Sequence, residues 1–205
     1  MKSPVYYIAS ERTDGLAETT EKLQRLLQSS RVLDCAAAQD TVAVKLHFGE
    51  QGNTGFVPPP FLRVVAEGLK ARGAKPFLSD TNTLYKGRRT NSADHLLLAH
   101  EHGFTPEAVA AEVIIPDDTK QEQIHLVDLG GRYIKTARVA KVYAQADALV
   151  GVAHFKGHIM FGFGGALKNV GMGCATREGK LAQHSDVSPT VMGKSCTGCG
   201  ACVDV

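Results

Sequence analysis

Along most of the chain, short apolar runs alternate with stretches whose apolar residues return every three or four positions. The second spacing marks one face of a helix, and the first marks a strand. VYYIAS, within residues 4–10 and preceded by Pro4, predicts a short strand. Leu16, Leu23, Leu26 and Leu27 share one face of GLAETTEKLQRLLQSS, which predicts an amphipathic helix. TVAVKLHF (41–48) predicts a central strand and KPFLSD (75–80) the next. Between them, PPPFLRVVAEGLKARG opens on prolines, which suit a first helical turn, and closes at Gly73, which suits a helix end. NSADHLLLAHEHGF predicts a helix with an Asn or Ser cap and Gly103 at its end. AEVIIPD (111–117) predicts a strand stopped by Pro116, and EQIHLVDL predicts another. TARVAKVYAQA (136–146) predicts a helix and DALVGVAHF (147–155) a buried strand. From about residue 174 the periodicity fades into a polar, Gly-rich tail.

This alternation predicts an α/β fold, a largely parallel sheet flanked by helices. In such sheets ligands bind beyond the carboxyl ends of the strands. Charged and polar residues collect at those ends: Lys45, His47 and Glu50 on one strand, Ser79, Asp80 and Asn82 on the next, and His154, Lys156 and His158 on a third. Lys45 and His47 are two apart, so on a strand they point to the same face. The bland reading pairs Lys45 with a carboxylate such as Asp80 and leaves His47 as a satisfied core histidine. Arg88 and Arg89, in LSDTNTLYKGRRTNSADH, stand on a strand-end loop where they are available to a carboxylate or phosphate, or simply solvated. His95 and His102 fall on one face of their helix with His100 nearby, and a surface or helix-end role is expected for them.

Composition changes this picture little. The 205 residues carry a net charge of +2, 43% hydrophobic and 21% charged residues, so charge marks neither a nucleic-acid binder nor a membrane-surface protein. No apolar run approaches the roughly 18 residues of a membrane span, and the start lacks an apolar signal region. A soluble cytoplasmic protein is expected, with no nucleic-acid or membrane partner.

The five cysteines add chemistry. Cys196, Cys199 and Cys202 stand three apart in KSCTGCGACVDV (194–205), the first part of the C-x2-C-x2-C-x3-C-P run that holds iron–sulfur clusters. The fourth Cys of that run is expected directly after Val205. Zinc is the alternative, although its ligands more often come in separated pairs. Clustered thiols of odd number do not suit a secreted disulfide framework.

HFKGHIMFGFGGALKNVGMGCATREGK is the other unusual stretch. Gly162, Gly164 and Gly165 precede ALKNVG, which predicts a loop feeding a helix N-terminus. Amides there favour an anion, with Lys156, Lys168 and Asn169 beside it. The alternative is that these glycines only permit tight turns and close packing. Neither a P-loop nor a G-x-G-x-x-G order is present.

KLHFGEQGNTG, FLSDTNTLYKGRR, KGHIMFGFGGALKNVGMGCATREGK and the terminal CTGCGAC together resemble the domain of unknown function 362 family, often labelled uncharacterised iron–sulfur center proteins. The resemblance covers essentially the whole chain. It implies an α/β body followed by a ferredoxin-like module that binds [4Fe-4S] clusters. On this reading residues 1–190 are the α/β domain and 191–205 the start of that module.

The expectation is an iron–sulfur protein with a redox role, whose 4Fe-4S cluster in the full-length protein serves an anion-binding crevice. Cys196, Cys199 and Cys202 are the cluster ligands. Lys45, His47, Glu50, Asp80, His154 and His158 are the catalytic candidates, and Gly162, Gly164, Gly165, Lys156, Lys168 and Asn169 bind a small anionic ligand. A redox partner protein is implied. One alternative is a non-catalytic electron carrier or docking partner. Another is a metal-dependent hydrolase or isomerase with His47, His154, His158 and Asp80 as ligands.

Overall fold

The computed structural model describes residues 3–116, 120–158, 162–184 and 191–200. In chain order the elements are α1 (Leu16–Ser30), β1 (Thr41–Lys45), α2 (Pro59–Lys70), β2 (Lys75–Ser79), α3 (Ser92–Glu101), α4 (Pro106–Val109) and β3 (Glu112–Ile114). Then follow β4 (Ile124–Asp128), β5 (Thr136–Ala140), α5 (Lys141–Ala144), β6 (Ala148–Gly151), β7 (Lys156–His158), β8 (Gly162–Gly164), α6 (Ala166–Gly173) and α7 (Arg177–Gln183).

The main sheet has the order β3-β2-β1-β6 with every neighbouring pair parallel. β4–β5 and β7–β8 are separate antiparallel ribbons. The two-residue alternation of β1 divides the interior. Val42 and Val44 join Leu62, Val65, Leu69, Leu78, Phe104 and Val109 in the larger core. Ala43 joins Phe77, Ala140, Tyr143 and Cys174 on the opposite face. Each fully buried Leu or Val contributes about 1.5–3 kcal/mol of transfer free energy. β1 is buried on both faces, as a central parallel strand must be. Its last residue, Lys45, follows Ala43 onto the second face and lies opposite Ser79 and Gly151.

The prolines before α2 stand at its N-terminus as expected, and Leu62, Val65, Ala66 and Leu69 form its buried stripe. Asn91 caps α3 by accepting from the Asp94 amide. Four elements differ from expectation. Residues 4–10 form no strand: they find no ladder partner, and Val5 and Tyr7 are exposed. Residues 136–146 begin as β5, because Thr136–Ala140 pair with Asp128–Ile124; only Lys141–Ala144 are helical. β6 is an edge strand, so its residues are intermediate or exposed rather than buried. Helix α7 lies beyond the point where periodicity faded; Thr176 caps it by accepting from the Gly179 amide at 3.2 Å. Among the described residues no helix is long and apolar enough to cross a membrane.

Candidate functional site

The carboxyl ends of β1, β2 and β6 open into a cleft of about 670 Å³. β1 and its following segment bring Lys45, His47 and Glu50 to it. β2 and the loop after it bring Asp80, Thr81, Tyr85 and Arg89. His154 follows β6, Lys156 and His158 come from β7, Lys168 and Asn169 from α6, and Lys180 and His184 from the region of α7. Gly164 and Gly165 also line the cleft. Gly162 does not; it pairs with His158 at the end of the β7–β8 ribbon with φ +74. The expected glycine loop is therefore half ribbon, and only Gly165 directly precedes the helix.

The back wall is a dry web of ions. Lys45 and Asp80 are buried and stand 3.0 Å apart. Lys45 Nζ also donates to Asn169 Oδ1 at 2.9 Å and to the Leu46 carbonyl. Asn169 Nδ2 donates to the carbonyls of Lys45 and Val152, at 3.2 and 3.1 Å, so one amide ties α6 to the ends of β1 and β6. A Cβ at Gly173 would stand 2.2 Å from Lys45 Cε, so the close approach of α6 to the lysine requires glycine there. Asp80 accepts from the Thr81 amide at 2.8 Å and from Arg89 Nη1 at 3.3 Å. Burial raises the Asp80 pKa, but Lys45, His95 and Arg89 outweigh it and bring it down to about 2. His95 is fully buried, against the surface role expected of it. Its Nδ1 faces Asn82 Oδ1 at 3.2 Å and its Nε2 lies 3.9 Å from Asp80. Since Asn82 Nδ2 donates to Ser92 Oγ, Asn82 Oδ1 is the acceptor and His95 Nδ1 carries the proton. Burial pulls His95 down to about 4 despite the opposing Asp80 charge.

The front is wetter and more cationic. Lys156 Nζ is 3.5 Å from His47 Nε2, and Lys168 Nζ contacts His158 Nε2. His47 and His154 meet edge to face with centroids 6.3 Å apart. The His154 Nδ1 is buried and has no hydrogen-bond partner among the described residues. Burial first, then the Lys156 charge, brings His47 down to about 4, so its ring is neutral at pH 7. Burial also lowers the Lys156 pKa, helped by Arg89. Among the described residues that line the cleft, Lys45, Arg89, Lys156, Lys168 and Lys180 face two carboxylates, Glu50 and Asp80. The surplus is positive, and a cleft focuses such a field on incoming anions.

The four residues considered as metal ligands do not converge. Asp80 is taken by Lys45, Arg89 and the Thr81 amide, and His158 packs on Lys168. Among the described residues no group of three His, Cys, Asp or Glu side chains could hold a metal ion. Cys196 and Cys199 are exposed, and Cys202 lies outside the described residues.

Lys180 and His184 also line the cleft, though no sequence motif marks them. Lys180 Nζ donates to the Asn82 carbonyl and the Thr81 hydroxyl, while His184 Nδ1 lies 2.8 Å from the Lys180 carbonyl. The available signal was Thr176, a helix cap four residues before Lys180.

The fold is similar to that of a lactate racemase apoprotein from Thermoanaerobacterium thermosaccharolyticum, with a TM-score of 0.56 at 18% identity over 80% of this chain and 39% of the racemase. The chain thus spans about two-fifths of that protein's length. No curated protein matches the sequence. Residues 42–197, which include all of the parallel sheet but Thr41, the cleft walls and the first of the terminal cysteines, Cys196, match the Domain of unknown function (DUF362), and the chain belongs to that family.

Proposed function

We propose that this chain is the ligand-binding body of an iron–sulfur enzyme that acts on a small anion in the cleft. The observation that carries the reading is the surplus of cations gathered, with three histidines, where three parallel strands end in one cavity. Lys156 and Lys168 attract the anion. Asn169 and Asp80 hold Lys45 at the back wall. His47, His154 and His158 are placed to move a proton. His47 is neutral in the free chain partly because Lys156 stands beside it. An anion that neutralises Lys156 makes His47 more basic, so ligand binding and proton uptake are coupled. The racemase of similar fold acts, by its name, on lactate, a small carboxylate, which agrees with the class of ligand inferred here.

Cys196, Cys199 and Cys202 are the ligands proposed for a 4Fe-4S cluster, completed by a further ligand. Between and after the two described thiols, Gly198 and Gly200 have φ of +69 and +77, a left-handed backbone that allows a tight loop, and Cys196 and Cys199 are exposed. This donor set fits a cluster. When bound, a cluster supplies one-electron exchange with a redox partner protein. A carrier without catalysis needs no cleft of this size, and the cavity therefore favours an enzyme.

The test is anaerobic purification of the full gene product, with iron and acid-labile sulfide analysis and titration with inorganic phosphate and acetate. Bound iron and sulfide are expected, with anion binding weakened at least about tenfold in Lys156→Ala/Lys168→Ala. Iron-free protein overturns the cluster, and anion binding unchanged in the double variant overturns the cleft's role.

A further inference from the structure

Arg89 lies between two carboxylates of different character. On one side Asp80 is buried and already committed to Lys45 and the Thr81 amide. On the other side is Glu50. Its Oε1 accepts from Arg89 Nε at 2.9 Å, from Arg89 Nη2 and from the Tyr85 hydroxyl, while Arg89 Nη2 also donates to Tyr85 Oη at 2.6 Å. The Glu50 side chain is 36% exposed and its Arg89 partner 11%. Glu50 follows Gly49, at φ +89, in a segment without regular structure. One carboxylate is built into the wall; the other reaches in from the rim of a cleft whose surplus charge is positive.

Resting on the anion-binding reading above, we propose that Arg89 and Tyr85 form a subsite for the carboxylate group of the ligand, and that Glu50 occupies it in the free chain as an internal surrogate. The arriving carboxylate accepts from Arg89 Nε, Arg89 Nη2 and the Tyr85 hydroxyl, and Glu50 swings out to water. The exchange is charge for charge: one monoanion replaces another. Lys45, Arg89, Asp80 and Glu50 together are neutral, and they remain neutral with a carboxylate in place of Glu50. Within this quartet a phosphate dianion leaves one extra negative charge beside buried Asp80, so the exchange with Glu50 favours a carboxylate, while Lys156, Lys168 and Lys180 elsewhere in the cleft attract either anion. The arginine fork matches a planar carboxylate. Because Glu50 is tethered, it competes at a high effective concentration and lowers the apparent affinity by the fraction of chains whose subsite is vacant.

The experiment titrates acetate and inorganic phosphate into the parent chain, Glu50→Gln, and Glu50→Gln/Arg89→Lys, with the thermal midpoint of each variant confirming the fold. Glu50→Gln is expected to bind acetate on the order of tenfold more tightly, to gain much less for phosphate, and to lose the acetate gain when Arg89→Lys is added. Equal gains for both anions mean only that a charge was removed, and overturn the surrogate. Acetate bound no more tightly than by the parent also overturns it, showing Glu50 to be a fixed partner of Arg89. In both of those outcomes the cleft still binds anions and its reading stands. If neither anion binds any of the three chains, the cleft reading falls and this subsite with it.

Discussion

The back and front of the cleft hold similar residue types in opposite circumstances. At the back, Lys45, Asp80 and His95 are buried, and Asp80 is bound on several sides at once. At the front, Lys156 is exposed and Lys168 and His158 are half-buried or more open. The back wall has exchanged hydration for fixed partners, so its geometry is set before any ligand arrives. The front retains water and side-chain freedom, so its charges are still available to a ligand. A lysine at the end of β1 and a lysine at the start of β7 are thus not equivalent: the first holds the frame and the second meets what enters it.

The largest expected effect therefore falls on the back wall. Asp80→Ala removes the carboxylate that faces Lys45 at 3.0 Å and Arg89 at 3.3 Å. Buried Lys45 is left without a carboxylate and Arg89 keeps only Glu50, with an expected loss of about 3–5 kcal/mol in denaturant unfolding. A loss below about 1 kcal/mol would show that water reaches this wall and that the contrast between back and front is wrong.

How much of this was legible follows from which forces act locally. The helix stripe of Leu62, Val65 and Leu69 and the apolar run Val42–Val44 declare themselves through period alone, and the parallel sheet follows from their alternation. The convergence of Lys45, Asp80 and His154 was legible because strand ends share one edge of such a sheet. What stayed hidden depends on pairing across long sequence distances. Thr136–Ala140 carry residues that suit a helix as well as a strand, and the partner strand β4 decides between them. His95 looks like a helix-surface residue until Asp80 and Asn82 from the β2 loop close over it. Lys180 belongs to the cleft only because α7 packs back against β5, a contact that no local pattern encodes. Local sequence marks Arg89 only as a loop cation, and its place between Asp80 and Glu50 emerges only when two loops meet.

A pH titration of stability should show an intermediate effect. His95 has a folded pKa near 4, against 6.5 unperturbed, because burial disfavours its charge. The unfolded chain binds the proton more readily, so stability is complete above about pH 6.5 and declines as pH falls towards about 4. Between pH 7 and pH 5 this histidine alone accounts for about 2 kcal/mol. Asp80 has the depressed pKa of a paired carboxylate, about 2 against 3.8, so its contribution persists through that window and is lost only at lower pH. Urea unfolding at the two pH values measures the slope, and His95→Gln should reduce it, leaving the part that His47, likewise held near 4, contributes. An unchanged slope in that variant would move the titrating group elsewhere.

The smallest stability effect is expected at the front. Lys156 is exposed and faces His47 at 3.5 Å, and among the described residues it makes no ion pair. Exposed pairs of this kind contribute about 0–1 kcal/mol, so Lys156→Ala should leave the unfolding midpoint nearly unchanged. The same substitution removes a charge that holds His47 down, second only to burial. The His47 pKa should therefore rise towards its ordinary value of 6.5, while remaining below it because burial persists. Ring-carbon proton shifts followed from pH 3 to 8 report this directly. A rise in the His47 pKa without a change in stability is the pattern that separates a ligand-facing charge from a structural one. If instead Lys156→Ala unfolds the chain as readily as Asp80→Ala, front and back form a single rigid body and the cleft has no adaptable side.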